Sequence, residues 1–354
     1  MKAAVIGCGR MGAFTSQSMI DTAPPCWFPL AHAEAVIARP GLSLEALVDP
    51  SAEAREAAQG LYGNVPAYAA HSDMLAAHQP ELVTIATRTV GRAQIIEDCL
   101  AAGVRALHIE KPLCSSAEEL ARLESAFADP EIFVTLGALR RYLWPYQFAL
   151  KKAQDGSLGD MTEARIAMGP APLYWAHPHS VDLALHAAGD IAVESVTARL
   201  ISPEFEGTTL LNDPVIAHAT IVFAGGFTAH ITQAPGRDVH YSCERGEVSV
   251  INNGHSVRVA HTVGANPYPQ HDPLDLPKSD APGGTLAPVS QLAACLSGDA
   301  GAIAANAVNK RAVLANQRVL FAIVQSHLEG GRPVAPGDIR NDLTIRAQTS
   351  GKPA

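Results

Sequence analysis

Short apolar runs alternate with longer mixed stretches through the first part of the chain. Ala3–Ile6, Leu44–Val48, Val65–Tyr68, Glu81–Ala86, Arg105–Ile109 and Ile132–Leu136 are brief and aliphatic, as strands buried on both faces are. The stretches between them carry helix signals. Ser51 follows Asp49-Pro50 as a cap, Ser72–His78 and Ala93–Ala102 have helical spacing, and Gly103 ends the latter. Ser115 or Ser116, with Glu118 or Glu119 three residues on, starts another helix. Strand–helix alternation of this kind predicts an α/β fold with a parallel sheet. Beyond residue 140 the pattern changes. A helix over Pro145–Asp155, a strand over Met161–Met168 and a helix from Pro178 to Gly189 lead into strand-like runs at Ile191–Leu200, Val215–Phe223, Thr228–Thr232, Val239–Cys243, Val248–Ile251 and Ser256–Ala260. These predict an open, mostly antiparallel sheet in an α+β domain. Val289–Leu296 and Ala305–Glu329 read as helices, the latter packing between domains or returning to the first. Gly264–Pro288 is proline-rich and polar, and Gln348–Ala354 reads as a loose end. The division expected is 1–139 and 140–354.

One stretch breaks the alternation. Ala13–Leu30 contains Pro24-Pro25, Trp27 and Pro29, through which no ordinary helix continues. It reads as an insertion that interrupts the first helix, with His32–Arg39 resuming it and Pro40-Gly41 stopping it. A flap over a ligand and a surface or subunit decoration fit it equally.

The first strand runs directly into Gly7-Cys-Gly-Arg-Met-Gly12, which is G-x-G-x-x-G. In a strand–turn–helix context Gly7 makes the tight turn, Gly9 admits a pyrophosphate to the backbone, and Gly12 lets the helix pack closely. Arg10 and Met11 complete the turn, and the helix start beyond it is an anion site. Asp49 ends the second strand, where an acid accepts from adenosine ribose hydroxyls and repels a 2′-phosphate. No basic residue follows until Arg55, so NAD is expected over NADP. Thr87 follows the fourth strand at the ligand-binding edge of such a sheet.

Composition narrows the partners. The net charge of −9, without a lysine or arginine run, argues against nucleic acid or an anionic membrane. No apolar stretch is long enough to cross a bilayer, and the start of the chain does not read as a signal peptide. The six cysteines are scattered without C-x-x-C, which suits reduced thiols in a cytoplasm and no structural zinc.

Glu110-Lys111-Pro112 follows the fifth strand. A lysine there sits at the crevice edge, where its ammonium can hold a substrate hydroxyl and ease its deprotonation. A cis bond before Pro112 would suit such a turn. Further on, His177-Pro-His179-Ser-Val-Asp182-Leu-Ala-Leu-His186 puts His179, Asp182 and His186 on one helix face. His179 and His186 are roughly 10 Å apart along the axis, too far to share one metal without distortion. A histidine near the helix start with an acid one turn on instead suggests an alcohol base. His186 reads as packed or superficial.

Gly7–Gly12, Val48-Asp49-Pro50, and Ala101-Ala-Gly-Val104 leading to Glu110-Lys111-Pro112 resemble, in this order, the Gfo/Idh/MocA oxidoreductases, which are sugar and inositol dehydrogenases related to glucose–fructose oxidoreductase. The resemblance implies an N-terminal Rossmann domain, with Glu110 among the cofactor contacts and Lys111 both a cofactor contact and catalytic. Gly137-Ala-Leu-Arg-Arg-Tyr142 looks like the family's Gly-x-x-x-Arg-[Phe/Tyr] crossing, so Arg141 and Tyr142 are candidates for the substrate lining. Arg140 and Arg141 could bind an anionic group or pair with acids, and the latter is favoured for Arg140. His179-x-x-Asp182 resembles the family's catalytic His-x-x-Asp. Where many relatives have Asp-x-Gly-x-His, this chain has Trp175 and His177, offering a stacking ring and a substitute polar group. The family's Pro-Asn-x-x-His after strand four becomes Arg88-Thr-Val-Gly-Arg92. The implied activity is hydride transfer between a nicotinamide cofactor and a secondary alcohol of a sugar, inositol or nucleotide-sugar, by a homo-oligomer. Glycoside cleavage with recycled NAD and a non-catalytic sensor are the alternatives.

Overall fold

The computed structural model describes residues 1–63, 65–262, 268, 270–276 and 279–346. The expected loose end Gln348–Ala354 and part of the 264–288 stretch lie outside them. Two compact units form. One comprises Met1–Leu139 and Pro282–Leu314, the other the described residues of Arg140–Ala281 and Ala315–Ala354. The expected division assigned everything after 139 to the second unit. The return of Pro282–Leu314 to the first has a physical reason in its helix, described below.

The first unit is built on strands β1 (Lys2–Ile6), β2 (Ser43–Val48), β3 (Ala67–Tyr68), β4 (Leu82–Ile85), β5 (Ala106–Ile109) and β6 (Phe133–Leu136). They form one parallel sheet in the order β3-β2-β1-β4-β5-β6. This is the order of a Rossmann fold, in which ligands bind outside the carboxyl ends of the strands. Every residue of β4, β5 and β6 is buried, which is why these strands read as unbroken apolar runs. The helices are α1 (Gln17–Thr22), α2 (His32–Ala38), α3 (Ala52–Tyr62), α4 (His71–His78), α5 (Arg92–Ala101) and α6 (Ala117–Phe127). Ser51 caps α3 by accepting from Ala54 N–H, and Gly63 ends it in the left-handed region at φ 70°. Ser116 caps α6, while Glu119 accepts from the Ser115 amide and hydroxyl at 2.7 Å each.

The second unit holds helices α7 (Trp144–Ala153) and α8 (Leu173–Ala187) and an eight-stranded sheet. Its strands are β7 (Met161–Ala167), β8 (Val193–Ile201), β11 (Val215–Phe223), β12 (Thr228–Thr232), β13 (Asp238–Cys243), β14 (Gly246–Ile251), β15 (Ser256–His261) and β16 (Gln270–Leu274). The order is β16-β15-β14-β13-β7-β12-β11-β8, and only β7 and β12 run parallel. Burial alternates along β13 and most of β11, so one face packs inward and the other is polar. Three short strands, β9 (Phe205–Glu206), β10 (Thr209–Leu210) and β17 (Thr344–Ile345), make a small second sheet that local sequence did not signal.

Helix α9 (Leu286–Leu296) explains the return to the first unit. Its Val289, Leu292 and Cys295 pack with Ala35 and Val36 of α2 against Ala3, Leu82, Ala106 and Phe133 of the parallel sheet. Without it those strand residues would face water, at a cost of about 25 cal/mol per Å² of apolar surface exposed. Helix α10 (Ala300–Leu328) follows, and Asn306 exchanges two hydrogen bonds with the Val134 backbone. No described helix is long and apolar enough to cross a membrane.

Candidate functional site

The glycine turn closes the carboxyl end of β1. Gly7 N–H donates to Val48 O at 2.7 Å, tying the turn to β2. Gly7 has φ 102°, and a Cβ there would lie 2.7 Å from Ala86 O. A Cβ on Gly12 would lie 1.7 Å from Gly7 O. The fold itself therefore demands glycine at both places. Gly9 differs, because a Cβ on it would meet nothing within 4 Å. Protein packing leaves room there for a side chain, and a close-approaching pyrophosphate supplies a reason for having none.

The helix after this turn is made from two pieces of chain. Gly12 and Ala13 N–H both donate to Gly9 O, starting the first turn. The chain then leaves over residues 14–31. It rejoins as α2, where His32 N–H donates to Met11 O at 2.8 Å and Ala33 N–H to Gly12 O at 2.9 Å. The hydrogen-bond ladder thus runs across the interruption, and the amide dipoles still align toward Gly9. The excursion is pinned at both ends. Glu34 accepts from Thr15 N–H and Oγ1 and from Ala31 N–H. Gly284 N–H donates to Cys26 O, and Thr285 donates from N–H to Pro29 O and from Oγ1 to Leu30 O. Gly283 and Gly284 leave no space for a Cβ against residues 26–29.

Asp49 stands beside the turn. Its Oδ2 accepts from Cys8 N–H and its Oδ1 from Ser51 N–H, both at 2.9 Å. The carboxylate is thus fixed at the tip of β2, with lone pairs left for a diol. Arg55 lies near, but its guanidinium donates to Asp49 O at 2.7 Å and Pro50 O at 3.1 Å. Arg10 and Met11 sit on the turn itself, half-buried.

On the same sheet edge, Thr87 follows β4 and Glu110-Lys111-Pro112 follows β5, with the Lys111–Pro112 peptide cis. Glu110 is buried. Its Oε1 lies 3.4 Å from His32 Nε2, and a Cβ on Gly137 would lie 2.5 Å from that oxygen. Burial raises the Glu110 pKa, but the His32 hydrogen bond and the Lys111 charge outweigh it and bring the carboxyl down to about 2. His108, whose ring lies 4.8 Å from that of His32, bonds Thr135 Oγ1 at 2.9 Å. Burial, reinforced by His32, pushes it down to about 3, so it is neutral. Arg92, at the first turn of α5, is buried and donates to the carbonyls of Thr87, Glu110 and Pro112. Sequence reasoning noted Arg92 only as a departure and did not single out His32 or His108. Their one signal was a polar residue inside an apolar pattern.

In the second unit α8 starts at Leu173, five residues before the expected Pro178. Asp213, just before β11, caps it by accepting from Tyr174 and Trp175 N–H at 2.7 and 3.1 Å. A cap so remote in sequence is invisible to local pattern, and Pro178 therefore lies inside the helix. His177 corrects its expectation as a substrate-lining group. It is 1% exposed, with Nδ1 at 3.0 Å from Ser180 Oγ and Nε2 at 3.2 Å from Ala171 O. Burial pushes it down to about 4, against the Ala171 hydrogen bond, so it packs as a neutral ring. Trp175 is exposed, and His179 and Tyr142 are half-buried.

Arg141 and Asp182 are also recast. Arg141 Nε donates to both Asp182 carboxylate oxygens at 2.9 Å, and Nη2 reaches Asp190 Oδ1 at 3.1 Å. All three groups are largely removed from water, and the two acids hold the guanidinium firmly protonated against its burial. Arg141 thus anchors α8 rather than presenting its charge to a ligand. Burial pushes the Asp182 carboxyl up while Arg141 opposes it. Arg140 donates to the Asn253 carboxamide oxygen, at 3.1 Å from Nε and 2.6 Å from Nη2. Burial, then the Arg141 charge, push His186 down to about 4. Among the described residues no group of three His, Cys, Asp or Glu side chains is placed to hold a metal, and all six cysteines are free thiols.

Residues 1–137 match the family described as "Oxidoreductase family, NAD-binding Rossmann fold", which is Gfo/Idh/MocA. The first domain belongs to that family. Solved structures share the fold over nearly the whole chain. A protein assigned as an NADPH-dependent oxidoreductase from Desulfitobacterium hafniense is 17% identical, with TM-score 0.74 over 96% of this chain and 98% of its own. An oxidoreductase from Agrobacterium radiobacter, in complex with NAD+, L-tartaric acid and magnesium, is 17% identical, with TM-score 0.67 over 96% and 99%. A super-repressor mutant of Gal80p from Saccharomyces cerevisiae is 11% identical, with TM-score 0.69 over 96% and 99%. No curated protein matches in sequence. Residues 1–137 are thus of the NAD-binding Rossmann type carried by the Gfo/Idh/MocA oxidoreductases.

Proposed function

We propose that the protein moves a hydride between a nicotinamide cofactor and a secondary alcohol or ketone of a sugar, inositol or nucleotide-sugar. The observation that carries this is the shared carboxyl edge of one parallel sheet. The glycine turn, Asp49, Thr87 and the Glu110-Lys111-Pro112 turn all stand on it. The residues present fit a dinucleotide. Gly9 leaves open space, the spliced helix points its amides at that space, and Asp49 offers a fixed acceptor to ribose hydroxyls. NAD is favoured over NADP because Asp49 repels a 2′-phosphate and Arg55 is turned onto backbone carbonyls.

NAD+, when bound, supplies the hydride acceptor. Lys111 donates a hydrogen bond to the reacting oxygen and stabilises its developing negative charge. His179 takes the alcohol proton in oxidation and returns it in reduction. Asp182 is a positioning residue for the helix that carries His179, through Arg141. Trp175 and Tyr142 offer rings to a substrate. The reading places the protein in the cytoplasm, which its free thiols suit, as a homo-oligomer like the oxidoreductases it resembles.

The test mixes the protein with NAD+ and sugars, sugar phosphates, nucleotide-sugars and inositols while following reduced-nicotinamide absorbance. The Agrobacterium complex with L-tartaric acid adds small hydroxy acids to the panel. A signal that falls about a thousandfold in Lys111→Ala, with NADH affinity kept, supports the reading. Equal loss of turnover and NADH affinity counts against the role given to Lys111. A Gal80p repressor shares the fold, so the second reading is a sensor. It predicts dinucleotide binding without turnover on any member of the panel.

A further inference from the structure

We infer that Arg92 is the positioning residue for Lys111, fixing the backbone on both sides of the lysine and tying it to the end of the neighbouring strand. This rests on the proposed role of Lys111. The parallel register of β4 and β5 ends at Ile85 and Ile109, and Glu110 N–H donates to Ile85 O at 2.8 Å just beyond it. Among the described residues no ladder pairing of β4 with β5 is recorded past that point. Arg92 takes over there. Its Nη1 donates to Glu110 O at 2.5 Å and also to Pro112 O, while Nη2 donates to Thr87 O. The three carbonyls bracket Lys111 and reach across to the loop after β4.

Structural economy does not explain an arginine at this place. Arg92 is 2% exposed, so its guanidinium has lost its water. It also sits at the first position of α5, where the helix dipole disfavours a cation. Burial lowers its pKa to about 10, against the attraction of Glu110, which leaves it charged at neutral pH. The planar fork puts two separate nitrogens on the three carbonyls, Nη1 on Glu110 O and Pro112 O and Nη2 on Thr87 O, a spread that the single nitrogen of a lysine does not reproduce. The Glu110 carboxylate is held separately by His32, so the turn is gripped by backbone and side chain from different elements.

The test needs no substrate. Acylation of Lys111 by N-acetoxysuccinimide is followed by peptide mass mapping in the apoprotein and with saturating NADH, with Lys2 and Lys151 as internal controls. Arg92→Met, close in volume and neutral, is compared with wild type. We expect NADH to protect Lys111 at least about tenfold less in Arg92→Met, while NADH affinity by fluorescence titration stays within about threefold and the control lysines react as before. With any alcohol active in the panel, kcat falls about a hundredfold with KM little changed. Unchanged Lys111 protection in folded Arg92→Met overturns the inference. If that variant does not fold, Arg92→Lys decides, because it keeps the charge but cannot bridge the carbonyls. Loss of protection there supports the inference and wild-type protection overturns it. Failure of the dehydrogenase reading shows separately, as dinucleotide binding without turnover on any member of the panel, and failure of the role given to Lys111 shows as Lys111→Ala that retains turnover.

Discussion

The glycine-turn edge of the first unit and helix α8 of the second make an instructive pair. Each held several residues marked for chemistry. At the first, the marked residues stand where backbone geometry alone puts them: Gly7 and Gly12 are demanded by close backbone contact, and Lys111 follows a buried strand. At the second, spacing on a helix face was the guide, and long-range partners redefined the residues. Asp182 holds Arg141, His177 is packed beneath Ala171, and an aspartate far along the chain starts the helix. A motif that specifies backbone shape carries its own environment. A motif that specifies side chains on a helix takes its meaning from whatever packs against it.

The comparison breaks first, and most strongly, at Asp182. Replacing it with alanine leaves Arg141 buried with one acid fewer, and we expect a loss of 3–5 kcal/mol, about what removing one partner of a buried ion pair costs. Lys111→Ala, at a half-buried position outside the core, should cost less than about 1 kcal/mol, both losses being read from urea titration. Equal destabilisation by the two would erase the contrast drawn here.

Next come the glycines. Gly12→Ala forces a Cβ onto Gly7 O and should cost about 3 kcal/mol by overpacking. Gly9→Ala should remain within about 1 kcal/mol of wild type in stability. Its NADH affinity, measured by fluorescence titration, should nevertheless drop at least about tenfold. An unchanged affinity would mean that no phosphate approaches Gly9.

A further prediction concerns pH. His177 is depressed to about 4 in the folded chain against an ordinary value near 6.5. The unfolded chain therefore binds a proton first as pH falls. The contribution is fully present above pH ~6.5 and is lost toward pH ~4, reaching about 2 kcal/mol by pH 5. His177→Gln should flatten that part of the urea midpoint against pH, and an unaltered slope would show that His177 titrates normally. His108 and His186, also depressed, add loss in the same direction.

Local pattern made much of the first unit legible. The six strand positions, the Ser51 cap, a serine cap at 115 or 116, the interrupted helix resuming at His32 and the turn at Pro112 are all written in short stretches. Helix boundaries in the second unit were less so, because Asp213 caps α8 from a distant loop. The roles of His32, His108 and Arg92 were not legible, since a buried polar residue announces itself only through the partners that satisfy it.

By itself, then, the chain's order of residues determined an α/β unit with a glycine turn, an acid after β2 and a lysine after β5. Each depends on contacts within a few residues or on the period of a strand. The tertiary structure alone decided that Pro282–Leu314 completes the first unit, that Arg141 and Asp182 neutralise each other, and that Arg92 and His32 grip the turn bearing Lys111. Those outcomes rest on burial. A charge or hydrogen-bonding group taken from water must be met by whatever the fold brings to it, and that partner can lie anywhere in the sequence.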